Sequence, residues 1–183
     1  MKSDFAWLDK WSDDLNGKNV LELGCGPADD TRKIAELSSS VVACDLSPPS
    51  QIEGAKQVLV VDHSKELPFK PCTFDVVIAS LCLHYFSWNT TQKIVSELSR
   101  VLTPKGVIVV RVNSNNDDNY GAKGHTEIES GLYMVKGQQK RFFSKADVEL
   151  LFKSEWKLTD IEEKSIDRYE RPKRILEFSA QKI

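Results

Sequence analysis

The residues that can do chemistry are few: Glu22, Asp29, Asp30, Asp45 and Asp62, two glycines at 24 and 26, and a His84-Tyr85 pair. They are densest in Val20-Leu-Glu-Leu-Gly-Cys-Gly-Pro-Ala-Asp-Asp-Thr31. Val20, Leu21 and Leu23 fit a buried parallel strand. Gly24 and Gly26 permit a tight turn and close approach of backbone to a ligand, and Arg32 to Leu37 reads as helix. Strand, Gly-rich turn and helix open a nucleotide-binding α/β unit. A dinucleotide fingerprint needs a third glycine three residues after the second, and Asp29 holds that place with Asp30 beside it. Two carboxylates at a helix N-terminus repel a pyrophosphate. That disfavours an NAD-type oxidoreductase and suits a ligand with positive charge near the turn. The plainer alternative is that Asp29 or Asp30 caps the helix.

S-adenosylmethionine carries a sulfonium and an ammonium and no phosphate. The stretch resembles motif I of the class I S-adenosylmethionine-dependent methyltransferases, with Glu22 two residues before the first glycine, Gly24, and Ala28 at the third small position. The resemblance implies a cofactor site. In it Glu22, Gly24, Cys25, Gly26, Asp29 and Asp30 form the turn, Cys25 acting through its backbone. Asp45, after the strand Val41 to Cys44, is placed to accept from both ribose hydroxyls, and Leu46 packs on the adenine. Asp62 meets the adenine amino group and the His63 amide a ring nitrogen, while the Ser80 backbone lies near the methionine part. For Asp45 the alternative is a surface acid at a strand end, and for Asp62 an acid on a loop. The pattern Leu102-x-Pro104-x-Gly106 before an apolar strand is a further hallmark of this family.

Methyl transfer is an in-line displacement at carbon, and a base is needed only if the nucleophile starts protonated. His84 and Tyr85 are the candidate catalytic residues; a packed histidine is the other reading of His84. No Asn-Pro-Pro-Tyr-like stretch follows the fourth strand, and Ser80-Leu-Cys-Leu-His84 favours a small-molecule acceptor. Residues 113–139 are polar and long, the mark of a functional or a disordered loop, and a substrate-facing role for some of them is the expectation. Glu127-x-Glu129 and Arg141-Phe-Phe are similar to small bacterial methyltransferases, including the tellurite-resistance-like group. No metal is expected: the acids of this loop match no calcium spacing, and the four cysteines and three histidines match no zinc spacing.

These residues need elements to hold them. Phe5, Leu8, Trp11 and Leu15, with Trp7 beside them, recur at helical spacing, giving an N-terminal helix over Ser3 to Leu15 with Ser3 or Asp4 as cap. It is either packed on the sheet edge or, as the segment 1–16, a lid over the cofactor mouth. Val58 to Val61, Phe74 to Ser80 and Val107 to Val112 read as strands, and Thr90 to Leu102 as a helix with Ile94, Val95, Leu98, Val101 and Leu102 on its apolar face. Ser144 caps a further helix. Trp156 to Glu162 and Arg174 to Gln181 read as the last two strands, joined by a basic connection that is most simply a solvated turn. With the resemblance, the expected fold is α/β: one domain over 1–183, a Rossmann-like, seven-stranded, mostly parallel sheet with helices on both faces and a C-terminal antiparallel hairpin. A chain of 183 residues is long enough for its own core. Its net charge of −2 gives no reason to expect nucleic acid, and no apolar run suits a membrane span. The start of the chain lacks an apolar signal core, and cysteines without pairing motifs suit a reducing compartment, so the expected location is the cytoplasm. The expected activity is S-adenosylmethionine-dependent methyl transfer to a small molecule. A non-catalytic partner subunit of the same fold is the alternative.

Overall fold

The computed structural model describes the backbone of residues 4–183 and the side chains from Ala6 onward. The expected cap at Ser3 or Asp4 and the burial of Phe5 lie outside these described residues. The chain opens with a 3₁₀ helix, Asp4–Trp11, and a short α1, Ser12–Leu15. There follow β1 (Asn19–Leu23), α2 (Asp29–Leu37), β2 (Ser40–Asp45), β3 (Gln57–Val60), β4 (Phe74–Ser80), α3 (Trp88–Val101) and β5 (Leu102–Asn113). Then come β6 (Thr126–Glu129), β7 (Leu132–Val135), β8 (Gln138–Arg141), α4 (Lys145–Leu151), β9 (Trp156–Leu158), β10 (Glu162–Ile166) and β11 (Lys173–Lys182).

The main sheet runs β10-β11-β5-β4-β1-β2-β3, with β9 also on β11. Its centre is parallel and β11 is antiparallel to β5, so the α/β Rossmann-like fold with a C-terminal hairpin stands. Side-chain parity divides the two faces. Leu21, Leu23, Val77, Ala79, Ile108, Val110, Leu176 and Phe178 point to the side covered by α3 and α4. Val20, Val76, Ile78 and Val109 point to the side where Trp7, Leu8, Trp11, Leu15 and Ile34 pack. Successive strand residues face opposite ways, so near-continuous apolar runs are what a doubly covered sheet demands.

Two expectations need correction. The strand expected over Trp156 to Glu162 is two pieces. β9 and β10 share the outer position on β11, and the pairing slips by one residue between Leu158↔Ala180 and Glu162↔Glu177. The extra residue is absorbed at Thr159, whose hydroxyl and amide both donate to the Ser179 carbonyl. Residues 113–139 do not form a loop throughout: β6, β7 and β8 make a separate three-stranded antiparallel sheet. Lys136 and Gly137, both with positive φ, form the two-residue turn between β7 and β8. The N-terminal segment is core: Trp7, Leu8, Trp11 and Leu15 are buried against the sheet, and none of its described residues lines the main cavity.

Candidate active site

The carboxyl ends of β1, β2 and β4 surround a cavity of about 550 Å³, within the range of small-molecule and cofactor sites. Glu22, Gly24, Cys25, Gly26, Asp29, Asp30, Asp45, Leu46, His63, Ser80 and Tyr85 all line it. Of the expected site residues only Asp62 and His84 do not. Ligands of open α/β sheets bind at this edge, where the strand order reverses, here between β1 and β4.

The turn after β1 is tied to β2. The amides of Gly24 and Cys25 both donate to the Cys44 carbonyl, at 2.8 and 3.0 Å. The Gly26 amide donates to Asp45 Oδ2 at 2.9 Å, and the Ser47 amide to Asp45 Oδ1 at 3.0 Å. Asp45 therefore fixes the glycine turn as well as facing the cavity. Gly24 has φ +71° and a Cβ there would lie 2.4 Å from the Cys82 Cβ, so only glycine lets the loops after β1 and β4 pack. Ala28 precedes α2 in the left-handed region, φ 68°, fully buried, where its Cβ carries a penalty that glycine would not. Burial pushes the thiols of Cys25 and Cys44 up to about 12, so Cys25 is no thiolate.

Glu22 is 3% exposed and accepts the Thr31 hydroxyl at 2.5 Å. Burial, then the nearby Asp30 and Asp45 carboxylates, push its carboxyl up to about 8 against the help of Thr31 and Arg168. The Ser80 hydroxyl is buried without a hydrogen-bond partner among the described residues. A buried acid short of positive charge and an unsatisfied hydroxyl on the same cavity fit a cationic, hydrogen-bonding ligand such as S-adenosylmethionine. Leu46, 63% exposed, His63 and Phe86 give the cavity an apolar side. The last two meet edge to face, ring centres 5.2 Å apart.

Two features escape a reading of the sequence. The basic connection before β11 is no simple solvated turn. Arg168 pairs with Asp30 at 3.1 Å and Asp29 at 3.3 Å, and Tyr169 lines the cavity with it. The acids expected to await a cationic ligand are thus already matched by an arginine, although both still face the cavity. Trp7 Nε1 donates to Asp30 Oδ1 at 3.3 Å and its ring lies under the Arg111 guanidinium, so the N-terminal segment buttresses α2 from behind.

Asp62 is exposed and turns away. Its Oδ1 accepts from the amide and hydroxyl of Ser64 in a local turn, which holds its pKa below the usual carboxylate range. His84 is 1% exposed, and burial, with Lys173 and Lys140 nearby, holds its pKa well below the ordinary imidazole value. It packs against Tyr85, ring centres 4.4 Å apart, and the cavity sees Tyr85. Among the described residues no three His, Cys, Asp or Glu side chains converge as metal ligands.

Residues 20–106 match the family described as a methyltransferase domain. Over that stretch, just under half of its length, the chain is similar to methyltransferases, and its fold is that of the class I S-adenosylmethionine-dependent enzymes. It is 33% identical over 98 residues to an uncharacterized methyltransferase, sll0829, of Synechocystis, a match covering 51% of this chain and 46% of that protein. The chain spans less than half the length of the relatives it matches by sequence. In fold it is similar to a methyltransferase from Methanosarcina mazei, with TM-score 0.77 and 18% identity over 92% of this chain and 93% of the other. It is also similar to the Burkholderia thailandensis 1,6-didemethyltoxoflavin-N1-methyltransferase, solved with its substrate and S-adenosylhomocysteine. There the TM-score is 0.74, with 20% identity over 98% of this chain and 80% of that one. The chain has no helix, among its described residues, long and apolar enough to cross a membrane.

Proposed function

We propose that the protein transfers a methyl group from S-adenosylmethionine to a small-molecule acceptor. The observation that carries this reading is the cavity at the ends of β1, β2 and β4, where the buried Glu22 and the cavity-lining Asp45 flank a glycine turn. When bound, S-adenosylmethionine supplies a methyl group already activated on a sulfonium. Glu22 holds the cationic amino-acid end, Asp45 the ribose, and the Leu46–His63–Phe86 side the base. Cys25, Gly24 and Gly26 let the ligand approach the backbone, and Ser80 offers its unsatisfied hydroxyl.

The chain's own task is then to align the acceptor and exclude water. Tyr85 lines the cavity and is half exposed, so it is placed to touch the acceptor. His84 acts through Tyr85, as a neutral, packed support for that ring. The small-molecule reading is supported by the Burkholderia neighbour, which holds 1,6-didemethyltoxoflavin together with S-adenosylhomocysteine.

The test is transfer of labelled methyl from S-adenosylmethionine to a panel of small thiols, amines, phenols and carboxylates, with bulk transfer RNA as macromolecular control. Labelled product from a panel member supports the reading; label in the RNA alone contradicts it. Tyr85→Phe should lower turnover while cofactor affinity stays within about twofold, under 0.5 kcal/mol. Cofactor binding with no transfer to any acceptor would favour a non-catalytic partner subunit.

A further inference from the structure

Among the described residues four acids line the first cavity, Glu22, Asp29, Asp30 and Asp45, against a single cationic side chain, Arg168. His63, the other basic residue of the lining, is held by burial below its ordinary imidazole value and is uncharged at neutral pH. Such a wall suits the sulfonium and ammonium of S-adenosylmethionine, but the same end of that molecule carries an α-carboxylate. The glycine turn has no donor for it. The Gly24 and Cys25 amides already donate to the Cys44 carbonyl, the Gly26 amide to Asp45, and the Ala28 amide to the Cys25 carbonyl at 2.9 Å. Pro27 has no amide hydrogen. The first turn of α2 offers further amides, but Asp29 and Asp30 stand in it and repel an anion.

Arg168 offsets those two acids. Its Nη1 donates to Asp30 Oδ2 at 3.1 Å and its Nη2 to Asp29 Oδ2 at 3.3 Å, and among the described residues these are its only hydrogen bonds. They use two of the five N–H groups of the guanidinium, so donors remain for a further carboxylate. The connection 167–172 that carries the arginine is fixed from behind. Tyr120 Oη donates to the Arg171 carbonyl at 2.8 Å and accepts the Arg171 amide at 3.0 Å, and Asn119 Nδ2 donates to the Pro172 carbonyl at 2.8 Å. Backbone and carboxylates together thus hold the guanidinium at the cavity before any ligand arrives, which lowers the cost of binding one.

We infer that Arg168 binds the α-carboxylate of S-adenosylmethionine, a cofactor-binding residue supplied by the connection between β10 and β11, while Asp29 and Asp30 orient its guanidinium. This rests on the reading of the first cavity as the cofactor site. An arginine suits the task, because its planar fork stays charged and can meet more than one carboxylate at once. The amino-acid end of the ligand is then matched at both its charges, the ammonium by Glu22 and the carboxylate by Arg168. Two acids can stand at the opening of α2 without driving that carboxylate off.

Titration calorimetry of the full chain tests this with S-adenosylhomocysteine, with S-adenosyl-3-thiopropylamine, which lacks only the carboxylate, and with 5′-methylthioadenosine, which lacks the whole amino-acid end. The parent should bind S-adenosylhomocysteine about tenfold or more tightly than S-adenosyl-3-thiopropylamine. Arg168→Gln should weaken S-adenosylhomocysteine by about tenfold or more and leave 5′-methylthioadenosine within about twofold. It should hold S-adenosyl-3-thiopropylamine at least as tightly as the parent does, because Asp29 and Asp30 are then free to attract the ammonium. Arg168→Lys keeps the charge without the fork, should lose about threefold for S-adenosylhomocysteine alone, and serves if Arg168→Gln does not fold. Equal affinity of the parent for S-adenosylhomocysteine and S-adenosyl-3-thiopropylamine would overturn the proposal, as would undiminished S-adenosylhomocysteine binding in the variants. Equal weakening of all three ligands would also overturn it, since that marks a residue that only props the glycine turn. Folded parent that binds none of the three would sink the reading of the first cavity, and the proposal with it.

Discussion

Glu22 is the residue on which sequence, burial and charge meet. Its carboxyl is pushed from 4.5 to about 8 in the folded chain, so between those values the folded state holds a proton that the unfolded state has lost. Stability from this group is therefore full below about pH 4.5 and lost as pH rises towards 8. Glu22→Gln should remove that dependence. Urea unfolding of the ligand-free protein should show the variant gaining on the parent between pH 5 and 8.5, by on the order of 2–4 kcal/mol. A constant difference across that range would mean that Glu22 is not the protonated group. Asp45 has two tasks, and they separate experimentally. Asp45→Ala should weaken S-adenosylhomocysteine binding by about 1.5–3 kcal/mol, the range for hydrogen bonds to a charged group. It should also cost about 1 kcal/mol of stability, because the Gly26 and Ser47 amides lose their acceptor. Titration calorimetry and urea midpoints read the two effects. A variant with weakened stability and unchanged affinity would leave Asp45 a structural residue only.

At the scale of elements, the turn between β1 and α2 makes opposite predictions at two small residues. Gly24→Ala puts a Cβ into Cys82 at positive φ and should cost about 1–3 kcal/mol in urea unfolding. Ala28→Gly relieves a left-handed alanine and should raise stability by up to about 1 kcal/mol, less what glycine gains in unfolded freedom. If both lower the midpoint alike, backbone strain is not what this turn stores. The parallel core was legible because a doubly covered strand must be apolar throughout, and Phe74 to Ser80 was read with the bounds it has. The capping Ser144 was legible for a similar reason: its hydroxyl accepts from the Asp147 amide and the Asp147 carboxylate answers it. The β6–β8 sheet was not. Its strands bury little beyond Leu132, Val135 and Arg141, so polar composition hid a meander that Ser130-Gly131 and Lys136-Gly137 mark as turns. Asp62 shows a limit of another kind, since a strand-end acid can equally well bond its own next turn.

At the scale of the whole molecule, the sheet order decides what reaches the site. β11 runs antiparallel to β5, so the turn before it returns to the carboxyl ends of β1 and β4. That carries Arg168 to Asp29 and Asp30 across 139 and 138 residues of sequence. It also sets Tyr169 and Lys173 beside Tyr85 and His84. No local pattern announces such contacts, because they depend on a hairpin's place in the sheet rather than on spacing. The same topology lines the main cavity with residues as far apart in sequence as Glu22 and Tyr169. The central claim is that this cavity holds S-adenosylmethionine and its demethylated product. Titration calorimetry of purified protein with S-adenosylhomocysteine tests it most directly. The account predicts one site per chain with micromolar affinity, about −8 kcal/mol, and its loss or marked weakening in Asp45→Ala. No heat of binding at millimolar ligand, from folded protein, would contradict it.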